Sequence, residues 1–271
     1  MRAQEPAAYA AHPTRRFLQR LAVLAGLALV SLAMPVIAAT TISPIVIDVP
    51  ADGRAIVTIR NDRAREVLYQ VTVLSWQVID GADRHEVTED FIASPPLFTL
   101  APSASQIVRI GFRNPSRFPV EQAYRLVVAE VPEASSRLPR PDDTSAEAGV
   151  IEFSLQYLLP VFVAPASRGA KPALVWSMRA DGDTVVVRSE NLGNRRAVLS
   201  MVGLSSPTGT DPAPEYASKQ RLTVLARSWR EWRIDVPVGK VSSPWRILYV
   251  TSENATRTVV PDEEMRASNS H

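Results

Sequence analysis

From Thr40 onward, apolar and polar positions alternate in short runs. TISPIVIDV, AIVTIRN and VLYQVTVLSWQVI each place an apolar or β-branched residue at every second position, with Asp52-Gly53 and Asn61-Asp62 as punctuation. A period of two bounded by turn residues predicts strands that bury one face. SPPLFTLAPSASQIVRIGF and QAYRLVVAEVP continue the series. In QIVRIGF the residues Val108, Ile110 and Phe112 share the core side, which leaves Arg109 on the other. Arg125 in AYRLVV alternates similarly and equally suits a solvated strand position. Strands at this spacing predict an antiparallel sandwich.

Residues 132–149 break the pattern with prolines, serines and charges and read as a mobile loop. Directly after it, GVIEFSLQYLLPVFVAP alternates Ile151, Phe153, Leu155 and Tyr157 with Glu152, Ser154 and Gln156. PASRGAKP, residues 165–172, reads as a linker, and a second β series follows: ALVWSM, DTVVVRSEN, RRAVLSMVGL, QRLTVLARSWREWRIDV and PWRILYVTS. The two series echo each other, since VTIRN before VLYQVTV resembles VVVRSEN before AVLSMVGL, each a strand, an Asn-containing turn and a second strand. The expectation is an all-β chain of two sandwich domains in tandem, over 39–164 and 165–271.

Composition fits that reading. The chain has 271 residues, 46% hydrophobic, enough for real cores, and its 22 prolines against 11 glycines favour short strands over long helices. Ahead of the β series, Arg15, Arg16 and Arg20 precede an apolar stretch from Leu21 to Met34 and the small residues Ala38 and Ala39. That order predicts a secretory signal peptide over 1–38, cleaved near Ala38 or Ala39, because the apolar stretch is shorter than the ~20 residues of a spanning helix.

Charge and chemistry then narrow the function. Removing residues 1–38 takes away four Arg and one Glu, leaving 26 basic and 27 acidic residues. Nucleic acid therefore loses its electrostatic argument. There are no cysteines, and residues 39–271 hold two histidines, His85 in the turn-like GADRHE and His271, neither with a partner at metal-ligand spacing. Nucleophile elbows, phosphate loops and dinucleotide fingerprints are absent, and the pairs Asp142-Asp143 and Glu263-Glu264 read as solvated charge. No catalytic residue, metal or cofactor is expected. Trp229 and Trp232 in SWREWRI read as core residues flanked by solvated arginines, with a contact surface as the alternative.

Taken in order, Ser94–Phe112, Glu121–Pro132 and Ile151–Pro165 resemble the PapD-like periplasmic chaperones of pilus assembly. Ser94-Pro95-Pro96, Leu100, Pro102 and Val108-Arg109 are similar to that family's turn into an arginine-bearing strand. Glu121, Tyr124, Leu126, Glu130, Val131 and Pro132 are similar to its signature ending in Glu-aliphatic-Pro. Ile151, Phe153 and Leu155 fall where the family places the alternating residues of its donor strand. Two places depart: Pro160 stands where better-studied members carry a lysine, and Ala164, opposite Glu130, stands where they carry an arginine in a charge cluster. These losses resemble the archaic branch of the chaperone-usher systems.

The resemblance implies two immunoglobulin-like domains and a periplasmic, non-enzymatic carrier with no cofactor. Its partners would be pilus subunits and an outer-membrane usher, with self-association when free. Ile151, Phe153, Leu155 and Tyr157 would complete a subunit that lacks its last strand, and Arg109 and Arg125 are the candidate anchors for the subunit's terminal carboxylate. Four large apolar side chains entering a groove would contribute roughly 6 to 12 kcal/mol before ordering costs. A secreted structural or adhesive β-sandwich protein that donates no strand is the alternative.

Overall fold

The computed structural model describes residues 40–261 except 51, 114–117, 133–153, 208–212, 238, 242–243 and 254. The predicted signal peptide, the loop after Pro132, and Ile151 and Phe153 lie outside the described residues. All elements among the described residues are strands. The first ten are β1 (Thr40–Ser43), β2 (Ile47–Val49), β3 (Arg54–Asn61), β4 (Val67–Ile79), β5 (Ala82–Val87), β6 (Phe91–Ser94), β7 (Leu97–Leu100), β8 (Ser105–Phe112), β9 (Gln122–Val131) and β10 (Gln156–Val163). They form two sheets, ordered β1-β3-β8-β6 and β2-β10-β9-β4-β5, with β7 also paired to β4.

The period of two does what the sequence reading expects. Val57 and Ile59, Tyr69, Val71 and Val73, Val108 and Ile110, Tyr124, Leu126 and Val128, and Leu159, Val161 and Val163 all enter one core between the sheets. The second sandwich repeats the scheme with β11 (Leu174–Asp181), β12 (Thr184–Asn191), β13 (Ala197–Ser205), β14 (Tyr216–Ser218), β15 (Leu222–Val224), β16 (Trp229–Asp235), β17 (Arg246–Thr251) and β18 (Thr256–Val259). Sheet β11-β12-β16 faces sheet β14-β13-β17-β18 across a core of Trp176, Val185, Val187, Leu199, Leu204, Trp232 and Ile247, among others. Trp232 is thus a core residue.

The echo between the halves is structural. Asn61 and Asn191 are fully buried at the ends of β3 and β12. Each Nδ2 donates to the carbonyl four residues on, Arg65 or Arg195, at 2.8 Å, and to the carbonyl of Leu100 at 2.9 Å or Val224 at 3.3 Å. Each Oδ1 accepts from the backbone N–H two residues on, Arg63 or Gly193, at 3.0 Å. A side chain that satisfies three backbone groups at once lets a strand end inside the core without orphaned polar atoms.

The two sandwiches meet over the outer face of sheet β2-β10-β9-β4-β5. Trp76 on β4, Phe162 on β10 and Leu225 after β15 form a small apolar cluster there. The β4–β5 hairpin turns through Asp80 and Gly81, at φ 51° and 73°, and brings Gly81 against Trp229. A Cβ at Gly81 would sit 2.5 Å from the Trp229 ring, so this approach requires glycine. Trp229, unlike Trp232, is therefore a contact residue, and the Arg188 guanidinium also stacks on its ring at 3.9 Å.

Candidate functional site

The strand after the predicted donor stretch is an edge strand along most of its length. β10 pairs β9 antiparallel from Gln156 to Val163, while β2 joins its other side only at Val161, Phe162 and Val163. From Gln156 to Pro160 that second edge meets no other described strand. Leu158 is 45% exposed, and Ile45, just ahead of β2, is 72% exposed. An unpaired backbone edge flanked by apolar side chains is a template for another strand.

The four predicted donor residues separate here. Tyr157 packs partly against the core of its own sandwich, in line with Leu159 and Val161. Leu155, two residues upstream, is 37% exposed. Its carbonyl accepts the Glu130 N–H at 2.9 Å, beside the end of β9. Tyr157 thus contributes to the protein's own core.

Across β10 from that edge lies a cationic site. Arg125 on β9 stands directly opposite Pro160 on one side and Leu74 of β4 on the other. Its guanidinium stacks over the Trp76 ring at 3.6 Å. Trp76 Nε1 donates to Asp83 Oδ1 at 2.7 Å, and Asp83 also receives Nη2 of Arg230, which reaches over from β16. Arg230 Nη1 donates to the Gly81 carbonyl at 2.7 Å, so one arginine clasps the hairpin at two points. Burial raises the Asp83 carboxyl, but the hydrogen bonds from Arg230 and Trp76 outweigh it and hold Asp83 below its ordinary value. Burial also lowers the Arg125 guanidinium, with Asp83 opposing and Arg230 reinforcing.

A second ion-pair group lies beside Phe162. Glu121 accepts the Arg196 N–H at 2.9 Å and its Nη1 at 2.6 Å, while Arg196 Nη2 reaches Asp48 at 2.7 Å. The Arg196 guanidinium also stacks on Phe162 at 3.6 Å. Burial pushes the Glu121 carboxyl above its ordinary value, a shift that Arg196 and Arg195 reduce without cancelling. This corrects the sequence expectation for Glu130. It is not left facing Ala164, because Arg63 Nη2 reaches Glu130 at 2.6 Å and Thr40 Oγ1 donates to it at 3.0 Å, inside the first sandwich. Glu121, like Asp48 and Asp83, pairs between the sandwiches, and its cation comes from the second sandwich.

Arg109 is not in this neighbourhood. It is exposed on the outer face of β8, in the opposite sheet, where it lines a shallow groove of about 610 Å³ with Arg54, Ile56 and Ile92. Val108 and Ile110 point inward as expected. The outward side of their sheet, however, is the one turned away from the second sandwich. Of the two candidate anchors, Arg125 alone lies between the sandwiches. Asp83, Arg196 and Arg230 were missed from the sequence, and His85, read as turn-like, lies on β5. GADRHE is the returning strand of a hairpin, and Asp80-Gly81 between alternating runs was the available signal. Among the described residues, no group of three or more His, Asp or Glu is placed to hold a metal ion.

Known proteins match this fold. Residues 40–168 match the model for the PapD N-terminal domain of pili and flagellar-assembly chaperones. A chain of the CsuC-CsuE chaperone-tip adhesion subunit pre-assembly complex, from the archaic chaperone-usher Csu pili of Acinetobacter baumannii, shares 21% identity with a TM-score of 0.60, covering 82% of this chain and 97% of that one. The E. coli chaperone DraB matches at 19% identity and TM-score 0.53, covering 84% and 96%. A chain of the Salmonella enterica complex of SafA pilin with the SafB chaperone matches at 16% and 0.52, covering 84% and 98%. At these identities the solved structures establish the two-sandwich fold. No curated protein sequence matches the chain. The first sandwich, residues 40–168, belongs to the PapD N-terminal domain family.

Proposed function

We propose that this PapD-like chain is a periplasmic pilus chaperone that holds an incomplete immunoglobulin-like subunit by lending it a strand, and that it passes the subunit to an outer-membrane usher. Removal of the first 38 residues on export and a domain boundary at Ala164 and Pro165 belong to the same proposal. The observation that carries it is the half-paired β10. From Gln156 to Pro160 its second edge meets no other described strand, and the alternating Ile151, Phe153 and Leu155 lie immediately before it in sequence. Added backbone hydrogen bonds would give affinity, and side chains at a period of two would set register, since a slip of one residue would present Glu152 and Ser154 instead.

Arg125 rather than Arg109 is the anchor in this reading. A strand added beside β10 runs out of open edge at Pro160, and Arg125 is the cation directly across from that residue. A guanidinium can take a terminal carboxylate in two hydrogen bonds, and this one stands over Trp76 on the outer face of the sheet, two strand spacings from the added strand. It would replace from β9 the lysine that the family resemblance places at Pro160.

Periplasmic co-expression with a small exported β protein encoded beside this gene tests the reading. Phe153→Asp should cut recovery of the complex at least tenfold, Arg125→Ala several-fold, and Arg109→Ala much less, with the chaperone's own melting curve unchanged in Phe153→Asp. Equal recovery from Phe153→Asp and wild type would sink strand donation. Equal recovery from Arg125→Ala would remove only the anchor.

A further inference from the structure

Two buried nitrogens beside Trp76 have no hydrogen-bond partner: Nε of Arg125 and Nε2 of His85. Native interiors rarely leave such groups unpaired, and an N–H on an arginine has no alternative tautomer in which it needs no acceptor. Both residues lie on the outer face of the same sheet. His85 of β5 is paired in register with Trp76, the ring centroids 6.4 Å apart, and Arg125 lies over that same indole. The local charges are unbalanced as well, with the guanidiniums of Arg125 and Arg230 set against the single carboxylate of Asp83. One missing acceptor that carries a negative charge would answer both deficits.

We propose that His85 is a second, protonation-dependent donor to the carboxylate that Arg125 anchors, so that the grip on a chain terminus tightens as pH falls. The proposal rests on the Arg125 anchor above and extends it. The groups facing His85 are Trp76 from β4, Arg125 from β9 and Asp83 from its own strand, with Arg230 from β16 bound to Asp83. Burial and the Arg125 charge both hold the imidazole below its ordinary value, and Asp83 acts in the opposite sense. A carboxylate arriving at Arg125 offsets that guanidinium's field and gives a protonated imidazole an acceptor. Both effects favour the charged form, so the bound-state value rises above the free one. By linkage the carboxylate binds more tightly as pH falls through the bound-state value, and the gain is complete below the free one.

Formate serves as the probe because it stays ionised across the histidine range. His85 and His271 are the two histidines of residues 39–271, so an NMR titration of that protein carries its own reference. With formate in place of chloride at equal ionic strength, the His85 midpoint should move up while His271 stays fixed, and formate should bind several-fold more tightly at about pH 6 than at about pH 8. Arg125→Lys, which keeps the charge, should retain part of the shift, and Arg125→Gln should abolish it. An unmoved or lowered His85 midpoint overturns the proposal, as does a shift that survives Arg125→Gln. None of these readouts involves cargo, so their failure leaves strand donation standing, and failure of the co-expression test leaves the formate site standing.

Discussion

The corner at Asn61 and the corner at Asn191 are built alike and used differently. Each asparagine ties down the loop that follows it, and each accepts on its own backbone carbonyl the N–H of a residue in the left-handed region, Ser103 at φ 62° or Arg227 at φ 61°. From the first loop Arg63 turns inward to Glu130 of its own sandwich; from the second, Arg196 turns outward to Glu121 and Asp48 of the other. The frame is a stability device in both halves. What distinguishes them is where the arginine on the tethered loop finds its carboxylate: one closes a core and the other fastens two bodies.

The largest expected effect comes from cutting those pairs. Arg196→Met and Arg63→Met each strip the cation from a buried carboxylate, which costs about 3 to 5 kcal/mol when no new partner appears. Urea unfolding should show both losses. Only Arg196→Met should separate the two sandwiches into independent transitions, and two transitions in Arg63→Met as well would erase the distinction between the corners. Next in size, Asn61→Ala and Asn191→Ala each remove at least three hydrogen bonds to backbone groups, worth about 3 kcal/mol together. Similar losses in both would confirm that the frames are equivalent, and a loss in one alone would show that the resemblance is only geometric. The smallest effect is on pH dependence. The Glu121 carboxyl is held above its ordinary value, so its contribution is fully present below the ordinary carboxylate range and declines as pH rises through the raised value. Glu121→Gln should flatten that slope in a stability series across mildly acid pH, and an unchanged slope would place the carboxyl's ordinary value in the folded state too.

Alternation made the strands and the paired corners legible in the sequence, because burial of one face is written residue by residue along each strand. It could not tell Arg109 from Arg125. A period of two says which side of its own strand a residue takes, but not which of two sheets the strand will join, and only one of those sheets meets the second sandwich. The ion pairs between sandwiches were hidden for a related reason. Glu121 and Arg196 are 75 positions apart and Asp83 and Arg230 are 147; Glu121 was marked by the family resemblance, and the other three look in sequence like any solvated charge. Ile151, Phe153 and Leu155 were singled out on resemblance together with pattern; pattern alone also selected Tyr157, whose side chain the first core takes for itself.

The parallel strand β2 occupies the last three positions of β10 that a newcomer could otherwise reach. Its presence works as a gauge of length. Under the proposed strand donation, with the cargo terminus at the Arg125 anchor, cargo extended at its free end by a purification tag, or by readthrough of a stop codon, would collide with backbone that is already engaged. The fold would then reject it for being too long, whatever its side chains.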